Sequence, residues 1–238
     1  MREETLGGLT VRITGGTDRE GGGDGPVVVL MHGFGAPGTD LVGLWRVLDV
    51  PQRVRFVFPE APHALPGYFG GRAWWPLPMA EIEQAMAAGR ARDFASEDPS
   101  GLAEARAGVV SMLDAIEEQL SVPADQLVLG GFSQGSMLAC DVAFTTARPL
   151  AGLVVLSGTL LAEARWAAGM PARAGLPVFQ SHGRLDPLLG FGQAERLRDR
   201  MVAAGLDVAF VPFSGAHEIP LVALAGLQTF LRERFPEA

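Results

Sequence analysis

The sequence predicts an α/β fold, with a mostly parallel central sheet and helices on both faces. Three observations carry this expectation. Strand-like and helix-like stretches alternate from one end of the chain to the other. The segments Val27-Val28-Val29-Leu30 and Val54 to Phe58 are apolar runs without strict alternation, as strands covered on both faces require. Hydrophobic residues make up 48% of the 238, enough to cover a sheet on two sides.

Taken in order, Leu9 to Thr14 reads as an edge strand and Gly21-Gly22-Gly23-Asp24-Gly25 as a turn. Pro26 to Met31 and Val54 to Phe58 are buried strands, the second ended by Pro59. Residues 61 to 98 are rich in Pro, Gly and Ala and show no clear periodicity. A segment of that length predicts a functional excursion over the top of the sheet rather than a simple connector. Asp98-Pro99 reads as a helix start, with a capping acid and a proline at the first position. Leu102, Val109, Val110, Leu113, Ile116 and Leu120 then supply the apolar stripe. Gln126 to Gly130 is the next strand and Gln134 to Thr145 the next helix. Leu153 to Leu156, Val178 to Gln180 and Val208 to Val211 are further strands. Helices fill the gaps, one of them from about Phe191 to Ala204 with Gly205 as its stop. No repeat or compositional break divides residues 1 to 238, so one domain is expected.

Composition narrows the function classes. A net charge of −8 argues against nucleic acid or an anionic membrane as the main partner, since both need basic patches. All 19 basic residues are Arg, and the absence of Lys and Asn removes lysine chemistry and N-glycosylation. Cys140 is the only cysteine, which leaves no internal disulfide and no cysteine metal site. Met1 to Thr5 lacks the pattern of a signal peptide, and no stretch approaches the ~20 apolar residues of a membrane span. A cytoplasmic protein is the expectation.

The chemistry centres on Gly131-Phe132-Ser133-Gln134-Gly135. Because Leu127-Val128-Leu129 precedes it as a strand and a helix follows, Ser133 falls at a sharp strand-to-helix turn, the nucleophile elbow of an α/β-hydrolase fold. A serine hydroxyl needs a base, and the chain has four histidines: His32, His63, His182 and His217. In this fold the acid and then the histidine follow the serine, which removes His32 and His63. His182 has no carboxylate between it and Ser133 in a suitable loop, whereas His217 follows the last strand in Phe213-Ser214-Gly215-Ala216-His217. Asp186 follows the preceding strand; Asp141, Asp199 and Asp207 lie in a helix, on a helix face and at a strand start. The oxyanion donors are expected to be the backbone amides of Gln134 and of Phe34, the latter in His32-Gly33-Phe34-Gly35. His32 is expected to anchor that loop. Tyr68, Phe69, Trp74, Trp75 and Leu77 either line an acyl pocket or form a satellite core that holds the excursion down. The scattered histidines predict no metal requirement.

These segments together resemble the phospholipase/carboxylesterase family, which includes the acyl-protein thioesterases. The matching stretches are Leu30 to Gly35, Phe58 to Pro62, Gly130 to Gly135, His182 to Pro187 and Ala216 to Ile219. The resemblance implies a compact hydrolase without a lid domain, acting on small-molecule carboxylic esters or thioesters without a cofactor. Departures from the family's pattern include Ala36 in place of a frequent acid and Trp74-Trp75-Pro76, which lacks a common acid. They favour a small-molecule carboxylesterase, with a protein thioesterase or lysophospholipase as the alternative. Adjacent Trp74 and Trp75 in the 61–98 excursion would fill space that a long chain needs, which predicts short to medium acyl esters. A hydrolase-fold binding protein without activity is the non-enzymatic alternative, and the intact Ser133, Asp186 and His217 speak against it.

Overall fold

A computed structural model describes residues 1–67 and 69–237. The strands are β1 (Arg2–Leu6), β2 (Leu9–Gly16), β3 (Glu20–Gly22), β4 (Val27–Met31), β5 (Arg55–Pro59), β6 (His63–Ala64), β7 (Arg72–Ala73), β8 (Leu127–Phe132), β9 (Gly152–Leu156), β10 (Pro177–Gly183) and β11 (Asp207–Phe213). The helices are α1 (Leu44–Val47), α2 (Met79–Ala87), α3 (Leu102–Gln119), α4 (Gln134–Thr145), α5 (Glu163–Gly169), α6 (Phe191–Ala203) and α7 (Leu221–Arg234).

Among the described residues nine strands form one sheet, in the order β1-β2-β5-β4-β8-β9-β10-β11, with β3 pairing β2 beside that path. From β5 through β11 every pairing is parallel, while β1 and β2 are added antiparallel. Alternate side chains of the central strands feed two cores, as the pleat dictates. Val27, Val29 and Met31 join residues of α2 to α6, whereas Val28 and Leu30 join Leu227, Phe230 and Leu231 of α7. Helices therefore cover both faces, as expected.

Several details differ from the sequence expectations. Leu9 to Thr14 is not the edge, because β1 pairs outside it and the strand runs on to Gly16. Part of the glycine-rich turn forms β3, laid alongside β2. The Asp98-Pro99 helix start shifts to Leu102, where Gly101 takes φ 89°, a conformation that strains any residue with a Cβ. Asp98 instead binds the Arg165 guanidinium, at 2.5 Å. The 61–98 excursion is not without structure: it holds the β6–β7 hairpin and α2.

Two polar residues lie deep in the packing. Asp141 of α4 is fully buried and accepts from Arg106, Arg165 and the Trp166 indole at 2.6, 3.1 and 2.8 Å. Arg55 of β5 donates to the backbone carbonyls of Gly25 and Leu120. The Cys140 thiol is buried in α4, and burial pushes its pKa far up, leaving it unreactive.

Candidate active site

The sheet's carboxyl edge sets the positions of Ser133, Asp186 and His217. Ser133 joins β8 to α4 with φ 53° and ψ −119°, a strained conformation for a residue with a side chain. Its amide donates to the Leu156 carbonyl at 2.9 Å, and its own carbonyl accepts from the Met137 amide at 3.1 Å and the Ser136 hydroxyl at 2.7 Å. A Cβ at Gly131 would lie 2.5 Å from the Met31 carbonyl oxygen, and one at Gly135 only 2.2 Å from it. Both glycines are thus demanded by close approach of the elbow to β4.

Asp186 and His217 come from the loops after β10 and β11. His217 Nδ1 lies 2.6 Å from Asp186 Oδ2, while Asp186 Oδ1 accepts the amides of Leu188 and Leu189, each at 2.9 Å. Burial raises the Asp186 pKa, but the hydrogen bond and charge of His217, helped by the Leu189 amide and His182, outweigh it and hold the carboxyl below its usual range. A carboxylate so held fixes the His217 tautomer, with Nδ1 donating and Nε2 left as the basic nitrogen. The Phe132 ring packs against the imidazole at a centroid distance of 4.8 Å.

Ser133 and His217 share one cavity of about 260 Å³, whose walls include Gly33, Phe34, Asp40, Leu77, Ile82, Phe94, Met137 and Leu188. Gln134 opens α4 directly after the serine, so its amide sits at a helix N-terminus beside Ser133. The loop bearing Phe34 is tied down on several sides. His32 Nδ1 donates to the Gly33 carbonyl at 2.8 Å, and its Nε2 accepts the Ala61 amide at 3.1 Å. With both nitrogens so used, and burial depressing its pKa, His32 is a neutral anchor.

The aromatic candidates separate. Leu77 lines the cavity. Trp74 and Trp75 are fully buried and do not. Phe69 projects into solvent, and Tyr68 lies outside the described residues. The physical reason is hydrogen bonding: Trp74 Nε1 donates to the His32 carbonyl at 2.9 Å, which turns the indole into a prop beneath the loop. Trp75 lines a neighbouring cavity of about 320 Å³ that shares Leu77, Phe94 and Met137 with the first. Phe94, Ile82 and Met137 were not foreseen as walls. Met137 was within reach, because a residue four places after Ser133 lies on the same face of the helix. Among the described residues no trio of His, Cys, Asp or Glu is placed to hold a metal, and no helix is long and apolar enough to cross a membrane.

Comparison with known proteins places the fold and the family. Acyl-protein thioesterase 1 of Neurospora crassa is 29% identical over 222 residues, covering 88% of this chain and 87% of that protein. The crystal structure of esterase PE8 superposes with a TM-score of 0.79 at 25% identity, covering 94% of this chain and 98% of that one. The carboxylesterase of Bacillus cereus shares the fold, with a TM-score of 0.70, 18% identity and 95% coverage of each chain. The phospholipase/carboxylesterase family model matches residues 20–234. With this match, and a mostly parallel sheet flanked by helices, the chain is an α/β-hydrolase and belongs to the phospholipase/carboxylesterase family of hydrolases.

Proposed function

We propose that this protein is a serine carboxylesterase that cleaves short to medium acyl esters through an acyl-enzyme. The observation that carries the reading is the 2.6 Å contact between His217 Nδ1 and Asp186, on a histidine that shares its cavity with Ser133. His217 Nε2 takes the Ser133 proton as the hydroxyl attacks the ester carbonyl, then returns it to the departing alcohol. Asp186 stabilises the imidazolium formed in between. The amides of Gln134 and Phe34 donate to the developing oxyanion. Water repeats the sequence on the acyl-enzyme and releases the acid.

The volume of about 260 Å³ falls just below the usual range of roughly 300–1,000 Å³ for drug-sized ligand sites, which supports a modest acyl group. A thioester leaving group is the second reading, favoured by the similarity to an acyl-protein thioesterase. Fluorophosphonate should label Ser133, and Ser133→Ala should lose on the order of 10⁴ in turnover or more while remaining folded. A panel of esters and thioesters of increasing acyl length separates the two readings. Labelling at another serine, or full activity in the alanine variant, defeats both.

A further inference from the structure

His182 has no part in the proton transfers just described, yet it is completely buried in β10, four residues before Asp186. Its Nε2 lies 2.6 Å from the Leu189 carbonyl oxygen and 3.3 Å from Asp186 Oδ2. A carbonyl oxygen only accepts, so Nε2 must carry the proton, and this fixes the tautomer. Nδ1 is buried without a hydrogen bond of good geometry among the described residues, although the Gly158 backbone lies near the ring. Burial drives the His182 pKa down, and the opposing pull of the Leu189 carbonyl and the Asp186 charge does not restore it. The ring is therefore a neutral donor.

The Asp186 oxygen that receives His217 thus faces a second imidazole. We propose that His182 is a positioning residue: its neutral Nε2–H, bonded to the Leu189 carbonyl, also turns its positive end toward Asp186 Oδ2 at 3.3 Å, steadies the carboxylate, and tempers its pull on His217. This rests on the reading of Ser133, His217 and Asp186 given above. The carboxylate accepts the Leu188 and Leu189 amides and His217, and the His182 Nε2–H stands 3.3 Å away as a further electrostatic partner. Every donor takes up part of the negative charge, so each added one weakens the carboxylate's hold on the His217 imidazolium. Removing the His182 donor leaves more carboxylate charge to hold the His217 imidazolium, and moves the acid limb of the reaction to higher pH.

Few other ionisable groups face this cluster. Asp40 stands on the wall of the shared cavity. Glu218, next to His217, accepts the Ala216 amide at 3.2 Å. The Arg184 guanidinium lies over Phe191, whose ring centroid is 6.3 Å from that of His182.

The test is the rate of fluorophosphonate reaction at Ser133 against pH, for wild type, His182→Phe and His182→Gln. His182→Phe should move the acid limb upward by about half a unit to one unit. His182→Gln, which restores an N–H donor near the original position, should lie within about 0.2 unit of wild type. A merely structural role would lower rates at every pH and leave the limb where it was, and that result in a folded His182→Phe overturns the proposal. So does an equal shift in both variants. Nitrogen NMR of the wild type serves if His182→Phe does not fold: a neutral Nε2–H tautomer near pH 7 supports the proposal, and an Nδ1–H tautomer or a cation there overturns it. Wild type that fails to label at Ser133 brings down the reading of the site and His182 with it, whereas normal labelling with an unmoved limb brings down His182 alone.

Discussion

The side chain of Gln134 fastens Trp74 to the elbow: Oε1 accepts the Trp74 amide at 3.0 Å, while Nε2 donates to the Trp75 carbonyl at 2.8 Å. Trp74 in turn holds the His32 carbonyl, so the loop bearing Phe34 and the elbow bearing Ser133 are linked through one indole. Gln134→Leu keeps its own backbone amide but releases this link. Turnover should fall about tenfold, less than the loss of a whole oxyanion donor, with KM changed by less than about threefold. Two buried backbone groups also lose their partners, at a cost of roughly 1–3 kcal/mol each, so Tm should drop by several degrees. Steady-state kinetics and a thermal melt check both.

Acyl-length preference should depend on Phe94 and Met137, which stand between the cavity of Ser133 and the neighbouring one. Each CH₂ accommodated adds up to ~0.8 kcal/mol, about fourfold in kcat/KM. Met137→Ala or Phe94→Ala should join the two spaces and move the optimum to longer acyl groups. Trp74→Phe should not move it, because that indole lies under the loop and outside the cavity. A profile of kcat/KM against acyl length decides, and an unchanged optimum in both wall variants refutes the assignment of the wall.

Stability should fall on mild acidification. His32 and His182 are both held below their ordinary pKa of 6.5, chiefly by burial. The folded state then binds fewer protons than the unfolded one, so stability rises with pH. Their contribution is complete above about 6.5 and is lost as the pH falls toward the lowered folded values. Asp186, also held low, adds a loss below about 4. Urea midpoints should therefore decline steadily from pH 7.5 to 5, and a flat profile would contradict the neutral, buried state of both rings.

Asp141 is a structural carboxylate, and its replacement should unfold rather than inactivate. Asp141→Ala leaves the Trp166 indole unpaired in the core and removes the shared acceptor of Arg106 and Arg165. Both guanidiniums are partly exposed, so the loss should be nearer 2–4 kcal/mol than the upper end for buried pairs. Below the lowered melting temperature, fluorophosphonate labelling of Ser133 should proceed at an ordinary rate.

The centre of the sheet was legible because β4, β5 and β9 are continuous apolar runs that suit a core on both faces, whereas β1 and β3 carry no such run. Helix α2 was not, since only Ile82 and Ala85 are buried and Pro78 provides no side-chain cap. A stripe that narrow leaves almost no periodic signal. The arrangement around Ser133 was readable from chain order and loop position. What escaped was the company those residues keep. The spacing of His182 and Asp186 marks a contact only once the strand and its turn are built, and Trp74 looks like a pocket residue until its indole finds the His32 carbonyl. Buried Arg55 is similar, because its partners are backbone carbonyls that no side-chain pattern records.

The kink at Ser133 and the one at Ser157, φ 48°, sit at the ends of adjacent strands, and each donates its amide to the strand beside it: Ser133 to Leu156, Ser157 to Ser181. Ser133 and the strand that leads into the Asp186 loop are thereby indexed to one another by the sheet itself, while Leu77, Ile82 and Phe94 hang from a separate stretch of chain. On the function proposed above, what is cleaved and how it is cleaved are in this way largely separable, with Met137 of α4 as the wall residue that both share. Transplanting residues 77 to 94 from a relative would redraw the menu of substrates and leave the cutting edge as it is.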